Sequence, residues 1–262
     1  MKYALITGAS SGIGREFALV LAKEGYNLIL VARREDRLIE LKEEILKNYN
    51  VKILLKVYDL SRADNCYHLH KECKWFPIRL VINNAGFGKA GQFLDIDIVD
   101  EVKMIKTNVI SLHILTKLFA NSMIKGRILN IASMAGFMPD PLMATYGATK
   151  SYVIQMSRAV NYELKRSGKN VKICVLCPGP IATEFQDVAN VKKKDNLNFV
   201  GKVYERQMAT AKDCAKIGWL GVKKGEEVIY LKKSDRFLSK ITKILPTSLL
   251  LPIQYEIQRK KI

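Results

Sequence analysis

The sequence predicts an α/β fold in which a parallel sheet is covered by helices on both faces. Three observations predict it. Strand-like and helix-like patterns alternate from residue 2 to about 231, the rhythm of repeated βαβ units. Several strand segments are almost continuously apolar, as strands covered on both faces must be. Between them lie amphipathic stretches of helical length.

The strand segments are KYALIT (2–7), NLILVA (27–32), VKILLKVY (51–58), IRLVIN (78–83), GRILNIAS (126–133), VKICVLC (171–177) and EVIYL (227–231). Helical candidates include GREFALVLAKEG, DRLIELKEEILKNY and SYVIQMSRAVNYELKRSG, the last two rich in outward charges. No internal repeat, low-complexity tract or Pro/Gly/Ser linker divides the chain. One domain over 1–262 is therefore expected, with a polar stretch at about 181–215 read as a substrate lid and a basic extension over about 234–262.

The totals narrow the partners. A composition of 48% hydrophobic and 26% charged residues suits a globular protein with a substantial core. Lys and Arg outnumber Asp and Glu by 43 to 25, a net charge of +18, which favours anionic partners such as phosphate, nucleic acid or acidic lipid. The odd set Cys66, Cys73, Cys174, Cys177 and Cys214, with only a short apolar run in MKYALITGASSG, points to a reduced, cytoplasmic setting. LPTSLLLPI (245–253) contains two prolines and is far below the roughly 18 residues a membrane span needs.

TGASSGIG (7–14) follows the first strand and opens the first helix. Gly8, Gly12 and Gly14, with Ser10, Ser11 and Ile13 between them, form a turn through which the main chain can approach a pyrophosphate at a helix N-terminus. The spacing is G-x3-G-x-G, a loose match to the general dinucleotide template. About 20 residues further on, the position that selects between dinucleotides reads VARRED. Arg33 and Arg34 stand there and no acid ends the strand, so the cofactor expected is NADP(H). Arg15 is expected to add a second charge to the 2′-phosphate.

In YGATK, Tyr146 precedes Lys150 by four residues, so the two share a helix face. A cation close to a phenol lowers its pKa, and Tyr146 is then expected to pass a proton to a carbonyl oxygen as hydride arrives at the carbon. Ser133, at the C-terminal end of its strand, has a hydroxyl available to the same oxygen. NNAG (83–86) ends another strand, and TNVIS places Asn108 in a helix.

With TGASSGIG, NNAG, IAS and YGATK in this order, the sequence resembles the short-chain dehydrogenase/reductase family over essentially residues 1–231. The resemblance implies a Rossmann-like, doubly wound sheet of seven strands in the order 3-2-1-4-5-6-7. It implies that Tyr146 is the acid/base, Lys150 lowers its pKa and bonds the nicotinamide ribose, Ser133 orients substrate, and Asn108 holds a relay water. It further implies that Asp59 and Leu60 flank adenine, Asn84, Ala85 and Gly86 line the cofactor, Pro178, Gly179, Ile181 and Thr183 contact the nicotinamide side, and Arg33 takes the basic position after strand 2. A homodimer or homotetramer is implied as well.

Other signals carry less. In CYHLHKEC (66–73), His68 and His70 fall on different helix faces and the spacing matches no usual zinc pattern, so no metal is expected. Cys174 and Cys177 face opposite sides of a strand and read as core thiols, and His113 reads as a packed or surface histidine. The tail from Val191 to Ile262 carries 17 Lys/Arg against 7 Asp/Glu. In RFLSKITKIL, Phe237, Leu238, Ile241, Ile244 and Leu245 share one helical face. This helix either packs on the lid and a neighbouring subunit or lies on an anionic membrane surface. No nucleic-acid binding is expected, because no stacking platform accompanies the charge.

The expected function is an NADP(H)-dependent carbonyl reductase or alcohol dehydrogenase. Its pocket is expected between YGATK, the loop 134–144 and the stretch after Thr183. Met134, Phe137, Met138, Leu142 and Met143 suggest a hydrophobic ketone, 3-oxoacyl-type or secondary-alcohol substrate. Two alternatives are an NADP-binding protein that acts as a membrane-surface or regulatory partner without efficient turnover, and an epimerase or dehydratase, which would need a longer substrate domain.

Overall fold

A computed structural model describes residues 2–189 and 208–259. The middle of the expected lid, 190–207, and residues 260–262 of the basic extension lie outside the described residues.

The seven apolar segments form one parallel sheet: β1 (Tyr3–Thr7), β2 (Asn27–Ala32), β3 (Ile53–Val57), β4 (Ile78–Asn83), β5 (Gly126–Ile131), β6 (Val171–Cys177) and an edge strand, Val228–Tyr230. Their order is β3-β2-β1-β4-β5-β6 followed by Val228–Tyr230, the order expected. Every pairing in this sheet is parallel. Alternate residues serve opposite faces, as the period of two requires. Ala4, Ile6, Leu28 and Leu30 enter one buried cluster, and Tyr3, Leu5, Ile29 and Val31 enter the other.

Helices α1 (Gly12–Lys23), α2 (Glu35–Asn48) and the helix Ala211–Lys224 contribute to the first cluster; α3 (Ala63–Cys73), α5 (Leu112–Ser122) and α6 (Ala144–Arg166) contribute to the second. The last of the first group lies tight on α1, because Gly218 offers no side chain where a Cβ would stand 2.7 Å from the Phe17 ring. Thr210 caps its start by accepting from Asp213 N at 3.0 Å, and Gly225 ends it with φ 73, the left-handed stop glycine suits. Cys174 and Cys177 fall into different buried clusters, so they are core thiols.

Asn108 stands in a π-helical segment, Lys106–Ser111, between α4 (Ile98–Ile105) and α5. Beneath it, four polar side chains are buried in a network. Asn83 Nδ2 donates to Thr116 Oγ1 at 3.1 Å and Asn130 Oδ1 at 2.9 Å, and Asn130 Nδ2 donates to Ser157 Oγ at 2.9 Å. Shared hydrogen bonds of this kind fix the register of β4, β5, α5 and α6.

Phe17 is wholly buried. Phe17→Ala is expected to lower the unfolding free energy by about 3–5 kcal/mol, as core Phe truncations do, measured by urea denaturation.

Candidate active site

Thr7 closes β1 and begins the glycine turn. Its Oγ1 accepts from the amides of Asn84 and Ala85, both at 3.0 Å. Asn84 Nδ2 donates back to Thr7 O at 3.0 Å and Gly8 O at 3.2 Å. The NNAG segment thus clips the turn to the end of β4. No side chain fits inside the clip: a Cβ on Gly8 would lie 2.8 Å from Asn84 Nδ2, and one on Gly14 2.3 Å from Gly8 O. Gly8 also has φ 67, a conformation glycine alone adopts freely. Beyond the turn, the 12-residue α1 presents its N-terminus, a place that favours anions.

Basic groups gather beside this turn. Arg34 Nη2 donates to Ser10 Oγ at 3.2 Å and Ser11 Oγ at 2.9 Å, while its Nη1 donates to Glu184 at 3.1 Å. Arg37 also pairs with Glu184. Hydrogen bonds from Arg37, then from Arg34, hold the Glu184 carboxyl below its usual range. Arg33 is exposed and faces Asp59. Burial raises the Asp59 carboxyl, but hydrogen bonding by Ser61 and the charge of Arg33 outweigh it and hold it low. Leu60 next to it is buried. Arg15 pairs with Glu16 at 3.1 Å and with Glu44 of α2 and borders the same cleft as the serines of the turn. A cleft of about 430 Å³ opens here, bordered by Ser10–Gly12, Arg37, Glu44 and Thr183–Glu184.

At the C-terminal edge of the sheet, α6 brings Tyr146 and Lys150 inward, 8% and 6% exposed. The Lys150 ammonium donates to Ile131 O at 3.0 Å and lies 5.6 Å from the Tyr146 ring centre. Ser133 lies near enough to the Tyr146 phenol to lower its pKa; its Oγ donates to Pro178 O at 3.4 Å and accepts from Ala135 N at 3.2 Å. Asn108 donates through Nδ2 to Phe87 O at 2.8 Å and Thr149 Oγ1 at 3.2 Å, and accepts from Phe87 N at 3.1 Å. Its side chain therefore fastens the NNAG loop to α6. Gly86 faces both groups: a Cβ there would stand 2.8 Å from Asn108 Oδ1 and 3.7 Å from Lys150 Nζ. Pro178 O accepts from Met134 N at 2.9 Å, Gly179 borders open space, and Thr183 reaches within 3.4 Å of a Cβ placed on Gly12. Ile181 is buried just before it.

The pKa expectation is corrected. Burial pushes the Tyr146 phenol up to about 12, with the nearby Ser133 hydroxyl pulling against it. Burial likewise drives Lys150 down to about 8. The Lys150 nitrogen donates to the Ile131 carbonyl, and desolvation outweighs the neighbouring charges at the phenol.

The substrate loop divides. Met143 packs with Tyr146, Ala90 and Met104 in one apolar cluster, whereas Met134 and Phe137 turn to a sheet-side cluster. Phe87 and Phe185 join the Tyr146 cluster, and the Phe185 ring lies 5.3 Å from that of Tyr146. Sequence reading missed both, together with Arg37 and Glu184. Arg37 alone carried a signal, one helical turn after Arg34.

The family described as short chain dehydrogenase matches residues 2–194. The chain is 35% identical over 188 residues to a very-long-chain 3-oxoacyl-CoA reductase of Vanderwaltozyma polyspora, covering 66% of this chain and 54% of that one. It is 30% identical over 204 residues to a hydroxysteroid dehydrogenase-like protein 1 of Gallus gallus, covering 76% of this chain and 61% of that one. The chain thus spans a little over half the length of these relatives. Among solved structures it is similar to a short-chain dehydrogenase from Sphingobium yanoikuyae in complex with NADPH, 29% identical with a TM-score of 0.78, covering 88% of this chain and 87% of that one. It is similar also to a bulky-bulky ketone specific alcohol dehydrogenase from Comamonas testosteroni, 27% identical with a TM-score of 0.74 over 88% of this chain and 86% of that one. A Burkholderia phymatum protein in complex with NAD, 24% identical with a TM-score of 0.79, covering 91% of this chain and 92% of that one, shares the fold.

Lys150 titrates below its ordinary 10.5, so its buried charge costs stability below pH 8, and that cost disappears as pH rises toward 10.5. Lys150→Met is therefore expected to raise the thermal midpoint at pH 7, with the gain shrinking between pH 8 and 10.5, read from melting curves across that range.

Proposed function

The chain belongs to the short-chain dehydrogenase/reductase family, and on that premise we propose that it is an NADP(H)-dependent oxidoreductase acting on a hydrophobic ketone, 3-oxoacyl-type or secondary-alcohol substrate. The observation that carries the reading is the convergence of Tyr146, Ser133 and Lys150 at one edge of the sheet, beside a glycine turn that leaves a helix N-terminus open. The residues present fit a dinucleotide. Gly8 to Gly14 and the start of α1 suit the pyrophosphate, the small Gly86 leaves space next to Lys150, and Asp59 and Leu60 lie at the end of β3 for the adenine.

Choice of NADP(H) is supported by Arg34 and the Ser10 and Ser11 hydroxyls it touches. Arg37 borders the same cleft, and Arg33 follows the end of β2. A guanidinium on two serine hydroxyls suits the 2′-phosphate, which an acid at the end of β2 would repel.

When bound, the nicotinamide supplies or accepts the hydride. Tyr146 donates its proton to the carbonyl oxygen in the reducing direction, and its raised pKa keeps that proton in place at neutral pH. Ser133, beside the phenol, has a hydroxyl that can hold the same oxygen. Lys150 lies where it can bond the ribose, and its lowered pKa lets it exchange a proton near neutrality. Asn108 keeps the Phe87 loop and α6 in register around them. Phe87, Phe185 and Met143 make an apolar wall at Tyr146 that excludes water and suits an acyl chain or bulky ketone.

A homodimer or homotetramer in the cytoplasm completes the reading, supported for the compartment by five free, buried cysteines. The competing view, an NADP-binding partner without efficient turnover, predicts no NADPH consumption with any carbonyl.

The decisive assay follows loss of NADPH absorbance with 3-oxoacyl thioesters and bulky ketones. Tyr146→Phe is expected to lower kcat by about a hundredfold or more, the usual range for a proton-transfer residue; unchanged turnover would exclude the mechanism. Arg34→Ala is expected to raise KM for NADPH about 10- to 100-fold, as loss of a charge-assisted pair would, and to leave KM for NADH nearly unchanged.

A further inference from the structure

The last two helices, Lys233–Ile241 and Thr247–Arg259, are exposed along most of their length, and the side chain each one buries is polar. In the first, Ser239 is the side chain buried against the protein, 2% exposed, whereas Phe237 is 66% and Ile244, just past its end, 81% exposed. In the second, Gln258 is buried and Ile253 is 61% exposed. Phe237 and Leu238 lie toward solvent, as do the lysines beside them, and the helix stops at Ile241, so Ile244 and Leu245 of the expected stripe stand exposed in the turns that follow it.

Inward bonds explain the orientation. Ser239 Oγ meets the Tyr230 hydroxyl at 2.9 Å, and the Tyr230 ring stacks on Phe137 at 5.8 Å. Gln254 and Gln258 both donate to Asp140 Oδ1, at 2.7 and 2.6 Å, and Asp140 is buried. The two helices are thus fastened by polar side chains to the loop 134–143.

We propose that this helix pair is an in-plane docking surface for an anionic lipid membrane, which brings the substrate loop to the lipid surface. Charge selects this occupant over a second copy of the chain. From 231 to 259 there are six Lys/Arg and two Asp/Glu, and Lys233, Arg236, Lys240 and Lys243 are exposed alongside Phe237, Leu238 and Ile244. A two-fold contact would set this basic face against itself, whereas acidic headgroups neutralise it. No helix among the described residues is long and apolar enough to cross a membrane, so the surface lies on the bilayer and does not span it. The consequence for substrate entry rests on the reading of that loop as a pocket wall; the docking itself does not.

The test is flotation of the full chain with vesicles of equal parts phosphatidylglycerol and phosphatidylcholine, against vesicles of phosphatidylcholine alone. Binding to the acidic vesicles is expected, and much weaker binding to the neutral ones. Lys240→Glu with Lys243→Glu should weaken it about 25-fold or more, at about fivefold per basic residue near such a surface. Phe237→Ser with Ile244→Ser should weaken it about tenfold or more through lost insertion; both pairs are exposed, and circular dichroism checks that each variant is folded. Absence of binding, equal binding to both vesicles, or variants that float like the parent would overturn the proposal. So would self-association in light scattering that Phe237→Ser abolishes. Flotation needs no turnover, so a chain that floats but consumes no NADPH overturns only the catalytic reading, and one that turns over without floating overturns only this one.

Discussion

Burying an ammonium and a phenol together at the edge of a parallel sheet is the constraint around which the rest of this structure is arranged. Desolvation disfavours the charged form of each group, so the surrounding backbone must both hold them and leave them room. Ile131 supplies a carbonyl to Lys150. Gly136 lets the loop after β5 close on α6, where a Cβ would meet the Lys150 backbone at 2.7 Å. Asn108 binds both polar groups of the Phe87 backbone. Such an arrangement costs stability where it serves chemistry, the usual trade at a reactive site.

The cost is offset by a well-packed frame. The inner strands are buried on both faces, and the polar network of Asn83, Thr116, Asn130 and Ser157 adds registry inside the second apolar layer. The clip formed by Thr7 and Asn84 extends that registry to the glycine turn, so the groups at β1, β4, β5 and α6 are positioned by one connected set of hydrogen bonds.

The strands were legible in the sequence because burial on both faces leaves an uninterrupted apolar run that no amphipathic helix shares. The turn, NNAG, Ser133 and the Tyr146–Lys150 pair were legible from their order along the chain. What was hidden depends on tertiary neighbours. Glu184 and Arg37 are 147 residues apart in sequence, and nothing local announces their meeting. Phe87 and Phe185 read as ordinary loop aromatics. The amphipathic pattern over 236–245 was visible, but the helix stops at Ile241, and periodicity does not give the side that meets the protein, which Ser239 decides through Tyr230. The direction of the Tyr146 shift was missed for a related reason: spacing shows that a lysine is near, while the depth of burial emerges only from the fold.

Glu184 has one more consequence. It stands beside Arg34 and Arg37 as an internal counter-ion, so a dianion arriving at those guanidiniums competes with a carboxylate already there. Phe185 adjoins Glu184 in the chain and its ring lies against that of Tyr146, so one short segment touches both the arginines and the phenol.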